Sequence, residues 1–225
     1  MAAFDGYLIA WDGFKDAAKM KYDEQFLEVL GRVPGLRPQI DRVGKKWRFY
    51  TLRSKVSLLD DRLSLSGKEL EYPVVFRVNR ETGNIIVAAE SKDVAEHLVG
   101  HLLNAHILPR VRKIGINVRN LTRHVLVEND QAYAITALYA HTPSFGSNLK
   151  TVMLYGDDLG QSEILLSNIE TFDSFQIGLR SRQSSRESAR LGSDGYLRFY
   201  ERGRGNFAEL ERCLAFVNNL NLYVR

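Results

Sequence analysis

Cysteine is all but missing from this chain: 225 residues carry one, Cys213. No disulfide can close within the chain, which excludes a disulfide-stapled secreted scaffold. Cys213 sits in an apolar helical pattern and reads as a small buried thiol rather than a nucleophile. No apolar run approaches the roughly 20 residues that a bilayer-spanning helix needs. The N-terminal stretch has no basic region, and Asp5 and Asp12 interrupt it, so it does not read as a signal peptide. The expected setting is cytoplasmic, with no membrane partner. Several signatures are also missing. There is no Gly-x-x-x-x-Gly-Lys-Ser/Thr loop, no Gly-x-Gly-x-x-Gly after a strand, no Gly-x-Ser-x-Gly elbow and no Cys-x-x-Cys pair. Those absences weigh against a nucleotide-powered motor, a Rossmann dehydrogenase and a zinc ribbon.

Lysine is missing from the whole last part of the chain. From Gln176 to Arg225 every base is an arginine: Arg180, Arg182, Arg186, Arg190, Arg198, Arg202, Arg204, Arg212 and Arg225. Five acids accompany these nine arginines, so this stretch alone carries the formal net charge of +4 of the whole chain. The rest of the chain balances to zero.

What remains is ordinary globular material. Apolar residues at 44% and charged residues at 26% are enough to build a core and rule out general disorder. The length suits a single α+β domain over residues 1–225, with a possible division into 1–110 and 111–225. Tyr7–Trp11 reads as a strand, and a helical pattern follows through Ala18, Tyr22, Phe26, Val29 and Val33. Lys45–Leu59 is rich in aromatic and β-branched residues and reads as a strand. Val74–Val78 and Ile85–Ala89 flank a turn containing Gly83, forming a hairpin. A helix with Val94, Leu98 and Leu102 on one face follows it, with Ser91 at its N-cap. The same order recurs near the end. There a hairpin turns at Gly192–Gly195, and a helix capped by Asn206 carries Phe207, Leu210, Leu214 and Val217. Between the two units the pattern gives strands at Lys113–Val118, His124–Val127, Tyr133–Tyr139, Thr151–Tyr155 and Phe175–Arg180, with a helix at Gln161–Ile169. The expected fold is α+β: a mainly antiparallel curved sheet with helices on one face, possibly two copies of a β-hairpin-plus-helix unit. The Ser- and Arg-rich segment Arg180–Arg190 is expected to be a mobile loop.

Four constellations point to chemistry. The first interleaves cations with rings: Lys45, Lys46, Arg48, Tyr50 and Arg53 on one strand, and Arg198 with Arg202 and Arg204 in the last hairpin. With Arg180, Arg182, Arg186 and Arg190, these residues form a candidate nucleic-acid surface. Guanidinium and ammonium groups displace counterions from phosphates, and rings stack unpaired bases. Nucleic acid, DNA or RNA, is the expected partner of a non-catalytic module or subunit of a nucleoprotein assembly. The alternative is an acidic protein partner meeting the same arginines.

The second constellation is Tyr155-Gly156-Asp157-Asp158 after the apolar Val152-Met153-Leu154. It resembles the strand-and-turn motif of palm-type polymerases and nucleotide cyclases. That resemblance implies Mg²⁺ or Mn²⁺ held by Asp157 and Asp158, with Asp12 as a further carboxylate. Without that chemistry no cofactor is expected. The third is Asp93, His97 and His101, at successive i, i+4 steps along a helix, which is a spacing able to present ligands to a metal. The fourth, Arg119 followed at five residues by His124, resembles the motif of a helical ribonuclease class that works as a dimer. There such residues act on the scissile phosphate. Here the flanking pattern reads as strand.

Overall fold

The computed structural model describes residues 2–11, 28, 30–37, 49–59, 69–79, 84–104, 110–127, 132–142, 150–182 and 188–201. It is an α+β fold dominated by antiparallel strands, with helices packed against sheet that does not close. The chain divides into two compact units: Phe4–Lys113, and Met1–Ala3 with Ile114–Arg225.

The N-terminal unit contains β1 (Ala2–Trp11), β2 (Leu36–Arg37), β3 (Phe49–Leu59), β4 (Glu69–Asn79), β5 (Asn84–Ala89), α1 (Lys92–Leu103) and β6 (Val111–Lys113). Its strands run in the order β2-β3-β4-β5-β1, and β6 pairs with β1 at Ile9–Trp11. The interior strand β5 is buried from Ile85 to Ala89 without alternation. Helix α1 lies against β5 and β6 and buries Val94, Ala95, Leu98, Val99 and Leu102. Ser91 holds the expected N-cap position in extended conformation. Its side chain makes no capping bond, and its carbonyl accepts from the Ala95 amide at 3.1 Å.

One polar contact fastens α1 to β1. Tyr7 is 2% exposed, and its hydroxyl donates to Glu96 Oε1 at 2.6 Å. Lys113 Nζ stands 4.8 Å from the centre of the Tyr7 ring. The Tyr7 bond holds the Glu96 carboxyl below the usual carboxylate range; Lys92 and Lys113 add to this, and desolvation opposes it. A group whose folded-state pKa is lowered contributes stability above its unfolded pKa and loses it as the pH falls through the folded value. Tyr7→Phe is therefore expected to cost about 1 kcal/mol at neutral pH, because Glu96 is left to water rather than orphaned. The variant should also lose less stability than the parent as the pH drops below about 4.3. Urea unfolding at pH 7 and pH 3 measures both effects, and identical pH dependence in the two proteins would refute the coupling.

The C-terminal unit contains α2 (Val118–Val127), β7 (Tyr133–His141), β8 (Thr151–Tyr155), a single 3₁₀ turn at Leu159–Gln161, α3 (Glu163–Asn168), β9 (Asp173–Ser181), β10 (Ser188–Gly192) and β11 (Tyr196–Glu201). The strand order is β11-β10-β9-β7-β8 and every pairing is antiparallel. Ile135, Leu138, Ala140, Ile177, Leu179, Ala189, Leu191, Leu197 and Phe199 are buried on one face, and α2 lies against β7 and β9 there. The β10–β11 hairpin closes as the sequence suggests. Gly195 takes φ 83°, its amide reaches the Gly192 carbonyl at 3.1 Å, and Asp194 Oδ1 accepts from the Tyr196 amide at 3.0 Å.

One expectation fails in this unit. The strand expected at His124–Val127 is the second half of helix α2, and the strand expected at Lys113–Val118 is the non-helical link from the end of β6 at Lys113 to the start of α2 at Val118. The buried residues of α2, Val118, Leu121, Thr122 and Val125, follow the helical repeat, but one of the four is polar. The Thr122 hydroxyl donates to the Val118 carbonyl at 2.8 Å, which lets a threonine complete an apolar stripe. Asn117 Oδ1 accepts from the Asn120 amide at 3.1 Å and caps the helix start. The β-branched residues near His124 had hidden this repeat. The loop expected over Arg180–Arg190 is narrower at both ends, and its middle, residues 183–187, lies outside the described residues. Arg180 belongs to β9 and Arg190 to β10, and the two strands pair from Ser188↔Arg180 to Gly192↔Gln176. The helix expected after Asn206 lies outside the described residues.

Candidate nucleic-acid interface

Alternation along the five C-terminal strands assigns one side chain in two to the face opposite α2. Two irregularities in the β7–β9 ladder enrich that face. The register passes from Tyr139↔Gln176 to Ala140↔Ser174, so Phe175 is an extra residue. Ser174 and Ile177 are both buried on the core side, which leaves Phe175 and Gln176 together on the other. Likewise the step from Ile135↔Leu179 to Ala137↔Gly178 leaves Thr136 extra. Bulges of this kind re-aim a side chain that strict alternation would send to the core.

Phe175 is thereby delivered to a row of rings. It stacks on His141 with centroids 4.7 Å apart, and lies 6.3 Å from Tyr139. Tyr139 meets Tyr155 edge to face at 5.7 Å, and their hydroxyls are hydrogen-bonded. Tyr155 and Met153 stand on β8, the last strand of the order, and are 59% and 58% exposed.

The cations are threaded between these rings. The Arg190 guanidinium carbon lies 5.2 Å from the Tyr139 centroid and 5.9 Å from that of Tyr200. Arg198, opposite Arg190 on β11, lies 5.4 Å from Tyr200. Arg190 faces Gly178 across the β9–β10 ladder, and Gly178 faces Ala137 on β7. The small pair leaves the floor low enough for Arg190 to lean across β9 to Tyr139. A Cβ at position 178 would come within 3.0 Å of the Ala137 Cβ. Burial raises the Tyr139 phenol above its usual range; the Tyr155 hydrogen bond adds to this and Arg190 opposes it. Tyr139 therefore stays neutral at physiological pH and keeps a π-face suited to cations. Among the described residues no carboxylate pairs with Arg190.

The other two arginines of this region meet the Gly-Asp-Asp turn. Arg180 donates to the Asp157 carbonyl at 2.8 Å and reaches Asp157 Oδ1 at 3.5 Å. Arg182 donates to Asp158 Oδ2 at 2.5 Å and to the Tyr133 carbonyl at 3.2 Å. Asp158 also accepts from the Gly160 amide through Oδ1 at 3.0 Å, capping the 3₁₀ turn. The acidic turn and the arginine segment, separate constellations in the sequence, are one electrostatic unit in the fold. Both Asp158 oxygens are engaged by protein donors, and Asp157 points into solvent with its side chain 99% exposed.

The remaining candidates fall elsewhere. Tyr50 and Arg53 belong to β3, opposite Val78 and Val75. Asp12, Lys45, Lys46, Arg48, Arg186, Arg202 and Arg204 lie outside the described residues. His97 and His101 are adjacent on α1, with ring centroids 4.4 Å apart; burial, with a smaller contribution from His101, holds the His97 imidazolium pKa below its usual value. Among the described residues no three His, Cys, Asp or Glu side chains form a group able to hold a metal, so Asp93 does not complete a site with them. Arg119 and His124 lie on α2, not among strands. Arg119 donates to the Glu170 carbonyl at 2.9 Å, and Arg123 pairs with the Glu170 carboxylate at 2.7 Å, so this part of α2 is tied to the segment after α3. Among the described residues no helix is long and apolar enough to cross a membrane.

Sequence reasoning missed Tyr139, His141, Tyr155, Phe175 and Tyr200 as surface residues. Tyr133 and Tyr139 are visible in the string, but the bulge at Phe175 is not. No protein family matches this chain, and no curated protein matches it.

Proposed function

We propose that the C-terminal unit binds nucleic acid without catalysis, across the face of β7–β11 opposite α2, as a module of a larger nucleoprotein assembly. The observation that carries this reading is Arg190 lodged between Tyr139 and Tyr200, beside Arg198, on a half-buried sheet face that continues to the exposed Tyr155. Such a face offers both halves of single-strand recognition. Guanidinium groups take phosphates and release counterions, while exposed rings stack bases irrespective of sequence. Duplex DNA hides its base faces, so unpaired strands make fuller use of Tyr155 and His141. The engagement of Asp158 by Arg182 and Gly160 favours binding over two-metal phosphodiester chemistry at that turn.

Fluorescence anisotropy of nuclease-treated protein tests the reading, using labelled single-stranded DNA, RNA and duplex at three salt concentrations. Single strands are expected to bind most tightly, with log affinity falling linearly against log salt. Arg190→Ala should weaken binding to all sequences and flatten the slope by about 0.7–1. No binding at the lowest salt would overturn the proposal. Retention of an acidic protein partner after nuclease treatment would then point to the same arginines serving a protein interface.

A further inference from the structure

The geometry points to a built-in competitor: the Asp157–Asp158 turn occupies Arg180 and Arg182 in place of backbone phosphates, and nucleic acid must displace it to gain those two contacts. This inference rests on the nucleic-acid reading of the same face. Arg180 lies on β9, two residues along from Gly178, and therefore on the side of the sheet that carries Arg190. Arg182 follows just past the strand end, held by Tyr133 and Asp158. Each guanidinium is offered two oxygens: the carbonyl and carboxylate of Asp157 to Arg180, and a carboxylate oxygen of Asp158 together with the carbonyl of Tyr133 on β7 to Arg182. That is the donor-to-oxygen pattern a phosphodiester also satisfies.

One half of the competitor is weak and the other firmer. The Asp157 side chain is 99% exposed and its contact with Arg180 is long, at 3.5 Å. The Arg182–Asp158 pair is closer, at 2.5 Å, with Arg182 44% and Asp158 19% exposed. Ion pairs between exposed groups are marginal and screened by salt, so a polyanion delivering several phosphates at once replaces the Asp157 contact first. Two consequences follow for the unbound protein. The turn screens the field of two of the arginines, and the affinity of the face falls short of what its arginine count implies.

The test compares the parent protein with Asp157→Asn, Asp158→Asn and the double variant, on a labelled single-stranded oligonucleotide. Asparagine at 158 keeps an amide oxygen for the Gly160 N–H, so the 3₁₀ turn survives. Glu163→Gln on α3 removes one negative charge from the same unit without touching either arginine, and matches the net charge of each single variant; the double variant must exceed twice its effect on log affinity. The double variant is expected to bind roughly three- to tenfold more tightly at 0.1 M salt, with a slope steeper by up to about 1.4, as two further phosphate contacts require. Glu163→Gln should change affinity less than about twofold. A double variant that stays within twice that control's effect on log affinity, beside a parent that binds, overturns the competitor and leaves the nucleic-acid reading standing. If neither parent nor double variant binds the oligonucleotide, the reading itself fails and the competitor with it. Elution from a heparin column separates the two further, since heparin presents anions without bases. A delay of the double variant more than twice that of the control supports occupancy of Arg180 and Arg182 by the turn, and a smaller delay counts against it.

Discussion

Phe199→Ala is expected to destabilise the C-terminal unit by about 3–5 kcal/mol, the largest effect of any substitution considered. Phe199 is fully buried on β11, on the face with Leu197, Ala189, Leu191 and Leu179. Removing a phenyl ring there forfeits its transfer free energy and leaves a cavity that a β-sheet wall cannot collapse into. The neighbouring Tyr200 provides an internal contrast. It points the other way, toward Arg190 and Arg198. Tyr200→Ala is expected to cost less, about 1–2 kcal/mol of stability, since part of its side chain already faces water and no closed cavity is left. Urea unfolding followed by fluorescence measures both variants. Comparable losses from the two would contradict the assignment of the faces.

Tyr155→Ala is expected to have the largest effect on binding. The ring stands on the last strand of the unit, 59% exposed, with its edge toward Tyr139. An exposed aromatic that stacks a base contributes about 1–3 kcal/mol, so affinity for single strands should fall about 5- to 150-fold. Little stability is at risk, because the side chain is already largely in water. Duplex binding, which depends on phosphates rather than stacking, should fall far less. Tyr155→Phe keeps the ring and loses the hydroxyl bond to Tyr139, so it separates stacking from positioning. Near-parental binding by Tyr155→Phe and loss by Tyr155→Ala would assign the ring to base stacking. Equal loss in both would assign the hydroxyl pair instead. Unchanged affinity in Tyr155→Ala would remove the edge strand from the interface.

Much of the fold is readable in the string because short-range rules generate it. The β4–β5 hairpin and α1, the β10–β11 turn at Gly195 and the strand at Thr151–Tyr155 all follow from local periodicity and turn chemistry. Helix α2 was missed for an equally local reason: its stripe uses Thr122, whose hydroxyl is satisfied only once the Val118 carbonyl stands one turn below. The arginine segment is strand at Arg180 and at Arg190, because serine and arginine suit strand surfaces as readily as loops.

The interface is a different matter. The sequence by itself determined the composition of the site: nine arginines and no lysines after Gln176, tyrosines spaced along strands, and one acidic turn. It could not say that Arg180 and Arg182 meet Asp157 and Asp158, which are 23 and 24 positions away, because strand order decides that pairing. Nor could it say that Phe175 leaves the core. A bulge exists only between two paired strands, and its register depends on β7 and β9 being neighbours. Tertiary structure decided which arginines face rings and which face carboxylates. The physical reason is that alternation along one strand is a local property, while the neighbour across the sheet, the slip in register and the glycine that lets Arg190 lean to Tyr139 belong to pairs of strands.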